Sequence, residues 1–345
     1  MPRRVLLIRL SAIGDVIMSS GLIPVLHAAW PQSEIVWLTE EGNAPLLRHN
    51  PRLAEVVVLP RGRWAALWRQ GRRREAAGEV RQFARALRAR AFDLAIDLQG
   101  LLKSGVWARL SGAPVRIGLG SREGSALLMT RVVDRAVRDD RLGKEYRRLA
   151  ESLGLDAARF AMDVVVPPRD AERARAVLDA AGVGGRYCVL APFTTRPQKH
   201  WLDDRWAALA QRLASAYAWR AVVLGGPGDR ERGAAIAAAA GDGAVSLAGH
   251  TSLTEAAAVI REAGCLVGVD TGLSHLGVAM GTPTLALFGS TRPYLDPGVP
   301  RARVLYHALP CSPCRRRPTC DGRYDCMRLH TVDAVAQAVA EITAA

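Results

Sequence analysis

CLVGVDTGLSHLGVAMGTPTLALF, residues 265–288, is the stretch from which the fold can be read. An unbroken apolar run, Cys265–Val269, stops at Asp270-Thr271-Gly272, and Leu273–Met280 then follows helical spacing. Gly281 suits a helix C-cap and Pro283 a stop, after which Thr284–Phe288 is apolar again. Runs this short and apolar throughout suit strands buried on both faces, as in a parallel sheet covered by helices. Strand, crossover helix and strand make one βαβ unit.

The same alternation extends outward in both directions. Upstream lie the strand Tyr187–Ala191 with the loop Pro192–Trp201 and helix Asp204–Tyr217. Strand Ala221–Leu224 with helix Asp229–Ala240 follows, then Ala244–Leu247 with helix Leu253–Ala263. The first half repeats the pattern with strands Arg4–Leu10, Ile35–Leu38, Glu55–Leu59 and Asp93–Asp97, and weaker ones at Val115–Gly118 and Val132–Val133. Its helices are predicted over Asp15–Ala29 and Arg73–Ala89, and a last helix over Val332–Thr343. Pro167-Pro168 interrupts the alternation, so a hinge is expected around Val165–Arg169. The prediction is an α/β protein of two doubly wound domains, 1–167 and 168–329, with a cleft between them.

At 345 residues the chain is long enough for two domains of roughly 100–200 residues each. An apolar fraction of 49% and a mean hydropathy of +0.05 exclude a disordered chain and an ordinary integral membrane protein. Near the start, Arg9 interrupts the apolar run Val5–Ile8, which is shorter than the roughly 7–15 residues of a secretory signal, so a cytoplasmic location is expected. The formal charge is +14, from 47 Lys+Arg against 33 Asp+Glu. Residues 1–170 carry 28 basic and 18 acidic side chains, net +10, leaving +4 for the rest. The excess peaks between Pro60 and Arg90, where ten arginines face only Glu75 and Glu79. Such a stretch is either a set of solvated helix faces or a surface for a polyanion.

Ligands of open parallel sheets gather on the loops that leave the carboxyl ends of strands. After the first strand comes Ser11-Ala12-Ile13-Gly14-Asp15. Asp15 is either a first-turn carboxylate or, with Gly14 allowing close approach, a general base. Thr194-Thr195-Arg196-Pro197-Gln198-Lys199-His200-Trp201 is either a polar turn or a set of donors for phosphate oxygens. Gly225-Gly226-Pro227-Gly228-Asp229 lacks both the G-x-G-x-x-G spacing and the Walker Lys-Ser/Thr, which argues against a dehydrogenase or NTPase. Asp270-Thr271-Gly272-Leu273-Ser274-His275 is the stronger site, because N–H groups at a helix start can cradle a diphosphate. Asp270 would then orient a sugar or a metal, while His275 either packs or faces the same pocket. Cys311-x2-Cys314-x5-Cys320-x5-Cys326 starts like a zinc knuckle but continues with no standard spacing, leaving a structural metal or free thiols open.

On these loops the sequence resembles glycosyltransferase family 9. The likeness covers nearly the whole chain and rests on LIRLSAIGDVIMSSGLIPVL (7–26), LTEEGNAP (38–45), FDLAIDLQGLLKSG (92–105), TTRPQKHW (194–201) and VDTGLSHLGVAMGTPTLALFGSTRP (269–293), in that order. The resemblance implies a GT-B fold of two Rossmann-like domains, with the closing helix, about 330–345, packing back onto the first. It implies inverting transfer of L-glycero-D-manno-heptose from ADP-heptose, with no cofactor and no required metal. Glu40-Glu41-Gly42 and Arg63-Trp64 resemble the members that act on a Kdo residue of Kdo2-lipid A, at the cytoplasmic face of the inner membrane. The enzyme would then be a peripheral protein on an anionic surface, a monomer, with no nucleic-acid partner.

By the same resemblance Asp15 is the general base. Ser11, Gly14, Thr194, Thr195 and Lys199 serve the donor's diphosphate and heptose, Lys199 also aiding catalysis. Asp229 occupies a nucleoside-binding place that is Glu in the family, and Thr251 a place beside adenine that is Met in a relative. Asp270, Thr271, Gly272, Leu273 and His275 match the donor loop unchanged. Arg61, Arg63 and Arg122 match the acceptor site; Gly62, Ala65 and Ala66 replace neighbouring basic positions, for which Arg61 and Arg72–Arg74 can compensate. Three rival readings are another family member acting on a different core acceptor, a sugar-nucleotide epimerase, and a nucleic-acid-binding protein using residues 60–90.

Overall fold

The structure, a computed structural model, describes residues 1–135, 139–314 and 317–344. The chain forms two units: Met1–Asp139 with Gly143–Val165, and Asp140–Leu142 with Val166–Ala345. The first unit runs β1 (Arg4–Ile8), α1 (Ile13–Ser20), α2 (Leu22–Ala29), β2 (Glu34–Glu40), α3 (Pro45–Arg48), β3 (Glu55–Leu59), α4 (Arg61–Arg69) and α5 (Arg73–Arg88). It continues with β4 (Leu94–Asp97), α6 (Leu102–Leu110), β5 (Val115–Leu119), β6 (Arg131–Val133) and α7 (Lys144–Ser152). Its parallel sheet has the order β3-β2-β1-β4-β5-β6, with Val5 opposite both Ile35 and Leu94. Alternation along β1 explains why it is apolar throughout. Val5 and Leu7 join one core layer with Trp37, Leu26 and Tyr146, while Leu6 and Ile8 join the opposite layer with Leu38, Leu87 and Trp107. Each such side chain contributes about 1.5–3 kcal/mol by leaving water.

The second unit runs α8 (Pro168–Ala180), β7 (Tyr187–Ala191), α9 (Asp203–Tyr217), β8 (Arg220–Val223), α10 (Arg230–Ala240), β9 (Ala244–Ser246) and α11 (Leu253–Glu262). Then follow β10 (Cys265–Val269), α12 (Gly272–Ala279), β11 (Thr284–Phe288), β12 (Ala302–Tyr306), α13 (Asp325–Arg328) and α14 (Val332–Ala344). The order β9-β8-β7-β10-β11-β12, again parallel, repeats the topology of the first sheet. The α/β, doubly wound prediction is thus correct. No helix among the described residues is long and apolar enough to cross a membrane.

Four expectations change. The helix predicted over Asp15–Ala29 is two helices, because Pro24 lacks an N–H and its ring opposes the carbonyl four residues back. Gly21 sits at the break, where a Cβ would come within 2.5 Å of the Phe160 ring. Strand β1 stops at Ile8 rather than Leu10, since Arg9 and Leu10 turn to bind neighbouring loops. Pro168 is the first residue of a helix, a place its fixed φ suits, rather than part of an irregular hinge. The closing helix, expected on the first domain, packs into the second unit: Val335, Ala338, Val339 and Ile342 form an apolar stripe at helical spacing that joins Trp206, Leu213 and Leu285.

The cysteines are free thiols. Cys326 lies against Gly289, and the Cys314 sulfur is 4.0 Å from the Ser290 carbonyl oxygen. Among the described residues no three His, Cys, Asp or Glu side chains converge to hold a metal.

Candidate active site

In each sheet the winding reverses between two central strands, β1/β4 and β7/β10, and the crevice at their carboxyl ends is the natural ligand site. In the first unit, the β1 loop and the β4 loop lock together there. Arg9 donates to the Leu98 carbonyl at 2.9 Å, and the Leu10 N–H donates to Gln99 at 3.0 Å. Asn43 adds a bond to the Leu10 carbonyl at 2.7 Å. The β4 loop is shaped by buried Asp97, which accepts from the Gln99 and Gly100 N–H groups and from Ser104 at 3.0–3.1 Å. Burial pushes the Asp97 carboxyl above the usual aspartate range, against those hydrogen bonds. Asp97 is a loop builder.

Asp15 lies in the first turn of α1, beside Gly14. Its Oδ2 meets Arg9 Nη2 at 2.5 Å and accepts from the Ala12 N–H at 3.3 Å. The Arg9 side chain is 5% exposed and that of Asp15 37%, so the arginine is a buried anchor and the carboxylate is reachable from solvent. Burial opposes the Arg9 charge, but the fields of Tyr146 and Asp15 outweigh it and its pKa lies above the ordinary arginine value.

Around this carboxylate the same sheet edge gathers cations. Lys103 donates to Ser11 at 3.2 Å and lies 3.9 Å from Glu40, which also pairs with Arg61 at 3.1 Å. Arg122 follows β5; its N–H donates to the Gly100 carbonyl at 2.8 Å and its side chain is exposed. Arg63 differs. It grips Glu79 on α5 at 2.6–2.9 Å, and that bond holds its guanidinium pKa high, so it is already committed to a helix–helix pair.

In the second unit the β7 loop and the β10 loop meet through Lys199 and Asp270. Lys199 Nζ is 2.5 Å from Asp270 Oδ2 and donates to its carbonyl at 3.2 Å. Thr291 donates to the same carboxylate at 2.6 Å, and His275 Nε2 is 3.9 Å from the other oxygen. Burial works against the Asp270 charge, yet Lys199, His275 and Thr291 together hold its carboxyl below the usual range. Tyr294 pairs with His275 Nδ1 at 3.2 Å. Thr271 is the N-cap of α12 and makes no side-chain cap bond, so the N–H groups of the first turn, from Gly272 and Leu273 onward, remain available to an anion.

Thr194 is held from behind. His200 Nε2 bonds its carbonyl at 3.0 Å, while His200 Nδ1 is 2.9 Å from Arg232, itself bidentate to Asp203 at 2.7 Å. Burial and then Arg232 lower the His200 pKa, so the ring is neutral, accepting at Nδ1 and donating at Nε2. Thr195 is exposed. The β8 loop adjoins at Gly225, where a Cβ would strike Phe193 at 2.5 Å. Asp229 there accepts from the Gly226 N–H at 2.8 Å, and the β9 loop bearing Thr251 is tied on by Gly249 N–H to the Gly225 carbonyl at 2.9 Å.

From sequence no individual role falls to Arg9, Lys103, Thr291, Arg232 or, within its loop, His200. Lys103 had a signal, being one of three lysines in the chain. Arg9 had none, because inside an apolar run it reads as an interruption.

A half-exposed carboxylate anchored by an arginine can take a proton. A lysine held against a buried aspartate beside an open helix start can receive a phosphate. Two tandem units of this winding, carrying those two features on their β1 and β10 loops, define a glycosyltransferase of the GT-B class. The family model for glycosyltransferase family 9 (heptosyltransferase) matches residues 80–324. Lipopolysaccharide heptosyltransferase 1 of Pseudomonas aeruginosa is 33% identical over 319 residues, covering 92% of this chain and 87% of that protein. Lipopolysaccharide heptosyltransferase 2 of Escherichia coli K12 is 28% identical, covering 88% and 87%. The solved structure of E. coli heptosyltransferase WaaC with ADP superposes with a TM-score of 0.76 at 28% identity, covering 98% of this chain and 99% of that one. The chain belongs to glycosyltransferase family 9.

Proposed function

We propose that this protein moves L-glycero-D-manno-heptose from ADP-heptose to a Kdo residue of Kdo2-lipid A, with inversion, at the cytoplasmic face of the inner membrane. The observation that carries the reading is the Lys199–Asp270 pair beside the open start of α12, in a chain similar along its length to heptosyltransferases. An ammonium has three N–H groups. Asp270 engages two of them through its carboxylate and its carbonyl, which leaves one for a phosphate oxygen. The pair is close to neutral, so directed donors hold the diphosphate more than net charge does: that last N–H, the first turn of α12, and the Thr194 and Thr195 hydroxyls.

On the acceptor side both Asp15 contacts fall on Oδ2, leaving Oδ1 to take the proton of the Kdo hydroxyl. As that O–H bond breaks, the acceptor oxygen bonds to the anomeric carbon from the face opposite the nucleotide. In the same displacement the bond from that carbon to the phosphate oxygen breaks, and its electron pair leaves with ADP. Lys199 and the α12 N–H groups meet the charge growing on the β-phosphate, where preorganised donors lower the barrier most. Arg61, Lys103 and Arg122 line the same edge as Asp15 and suit the carboxylates and phosphates of the acceptor.

The test is incubation with ADP-heptose and either Kdo2-lipid A or the same acceptor already bearing one heptose, read by mass spectrometry. Addition of one heptosyl group to Kdo2-lipid A is expected. Turnover only of the heptosylated acceptor would move the protein to the next step of the core, and consumption of ADP-heptose without an acceptor would make it an epimerase.

A further inference from the structure

We propose that α5 is a docking strip for an anionic lipid surface. Arg74, Arg81, Arg85 and Arg88 stand at i, i+7, i+11 and i+14. At about 100° and 1.5 Å per residue they share a sector of roughly 60° and form a line about 21 Å long. All four are exposed, on the side away from Ala76, Val80, Phe83 and Leu87, which pack into the unit.

What separates this line from ordinary surface arginines is its lack of counter-charge. The acidic groups of the region are engaged elsewhere: Glu40 by Arg61, Glu79 by Arg63, Glu75 by Arg72 and Glu55 by Arg90. Among the described residues no carboxylate pairs with the four stripe arginines. At the start of the line, Trp68 is 58% exposed and Arg73 lies 5.2 Å from its ring centroid. A tryptophan beside cations suits a membrane–water interface, where the ring takes the headgroup level and the guanidinium stays wet. The line is straight and lies on the outside of a helix, with Trp68 as its single exposed aromatic, which fits a plane of lipid phosphates better than a nucleic acid needing a groove or stacked bases. The choice of lipid also rests on the proposed acceptor, an amphiphile that the enzyme must meet at a bilayer.

The test uses the full-length protein and vesicles of phosphatidylcholine with or without phosphatidylglycerol, read by co-sedimentation. Binding to the anionic vesicles is expected, fading as salt rises from about 0.05 to 0.5 M and the screening length shrinks. R81Q/R85Q/R88Q keeps good helix formers in place and should bind roughly a hundredfold more weakly, at about fivefold per basic residue. R81K/R85K/R88K should restore binding, since charge and not shape is needed. On a deacylated, water-soluble Kdo acceptor the Gln variant should match wild type, whereas on acceptor embedded in vesicles it should fall behind. Vesicle binding by the Gln variant within threefold of wild type overturns the proposal. So does tighter binding of the wild type to duplex DNA than to anionic vesicles at equal salt. Vesicle binding as expected without heptosyl transfer to either acceptor would support the strip and overturn the function.

Discussion

Asp15 and Arg9 illustrate how one buried cation can orient an exposed carboxylate, here the proposed base. Arg9 is fixed by the Leu98 carbonyl and directs one carboxylate oxygen, leaving the other free. Arg9→Met should therefore cost about 1–3 kcal/mol of stability by leaving the buried Leu98 carbonyl without its donor, measured by urea unfolding, and should lower kcat more than it raises KM for the donor. Lys199→Ala removes the N–H proposed to meet the diphosphate. Its Kd for ADP should rise at least tenfold by titration calorimetry, and an unchanged Kd would count against the phosphate role. Asp270 gives a pH signature. Its folded pKa is depressed, so its contribution to stability is present above the ordinary carboxylate range and is lost only as pH falls through the folded value. Asp270→Asn should accordingly lower the melting temperature at neutral pH and shrink that deficit in strong acid. Much of this scale was legible in advance: Asp15, Lys199 and the Asp270 loop lie where strand ends place them. The partners were not, because Arg9, Thr291 and His200 come from loops whose proximity is a tertiary fact.

Elements carry the loops, and two junctions show how tightly. Gly100 turns the β4 loop at φ +67°, and a Cβ there would lie 2.3 Å from the Leu119 carbonyl oxygen. Gly100→Ala should cost about 2–4 kcal/mol and loosen the edge that holds Arg122, seen as a lower melting temperature with a higher KM for acceptor. His330, just before α14, is the second junction. Its Nε2 bonds the Phe288 carbonyl at 2.9 Å, and its own carbonyl receives the Trp201 indole N–H at 2.9 Å. Burial pushes its pKa down to about 4, so the unfolded chain takes up a proton that the folded one resists between pH 6.5 and about 4. Stability should fall by about 3 kcal/mol as pH drops across that window, and His330→Gln should flatten the fall in urea titrations. Periodicity found the strands of both sheets except β12. It missed α3, α4, α6–α8 and α13, most of them too short to show a clear helical period. Pro24 was a visible helix breaker, overridden in the reading by the long apolar run around it.

At the scale of the whole molecule the repeated winding was the most legible feature, because buried parallel strands cannot be other than apolar throughout. The asymmetric charge was legible too, but not its division into paired and unpaired arginines, which depends on where Glu40, Glu55, Glu75 and Glu79 end up. The placement of α14 in the second unit follows from an apolar stripe that any open core could accept, so the sequence alone did not choose its partner. Each unit supplies one half of the proposed chemistry: a base from the first and an anion cradle from the second. The most direct test is a single comparison of wild type with Asp15→Ala, using ADP-heptose and Kdo2-lipid A, with transfer read by mass spectrometry and donor affinity by calorimetry. The expected result is transfer by the wild type, at least a thousandfold slower transfer by the variant, and the same donor Kd for both. Turnover by the variant within tenfold of wild type would contradict the account.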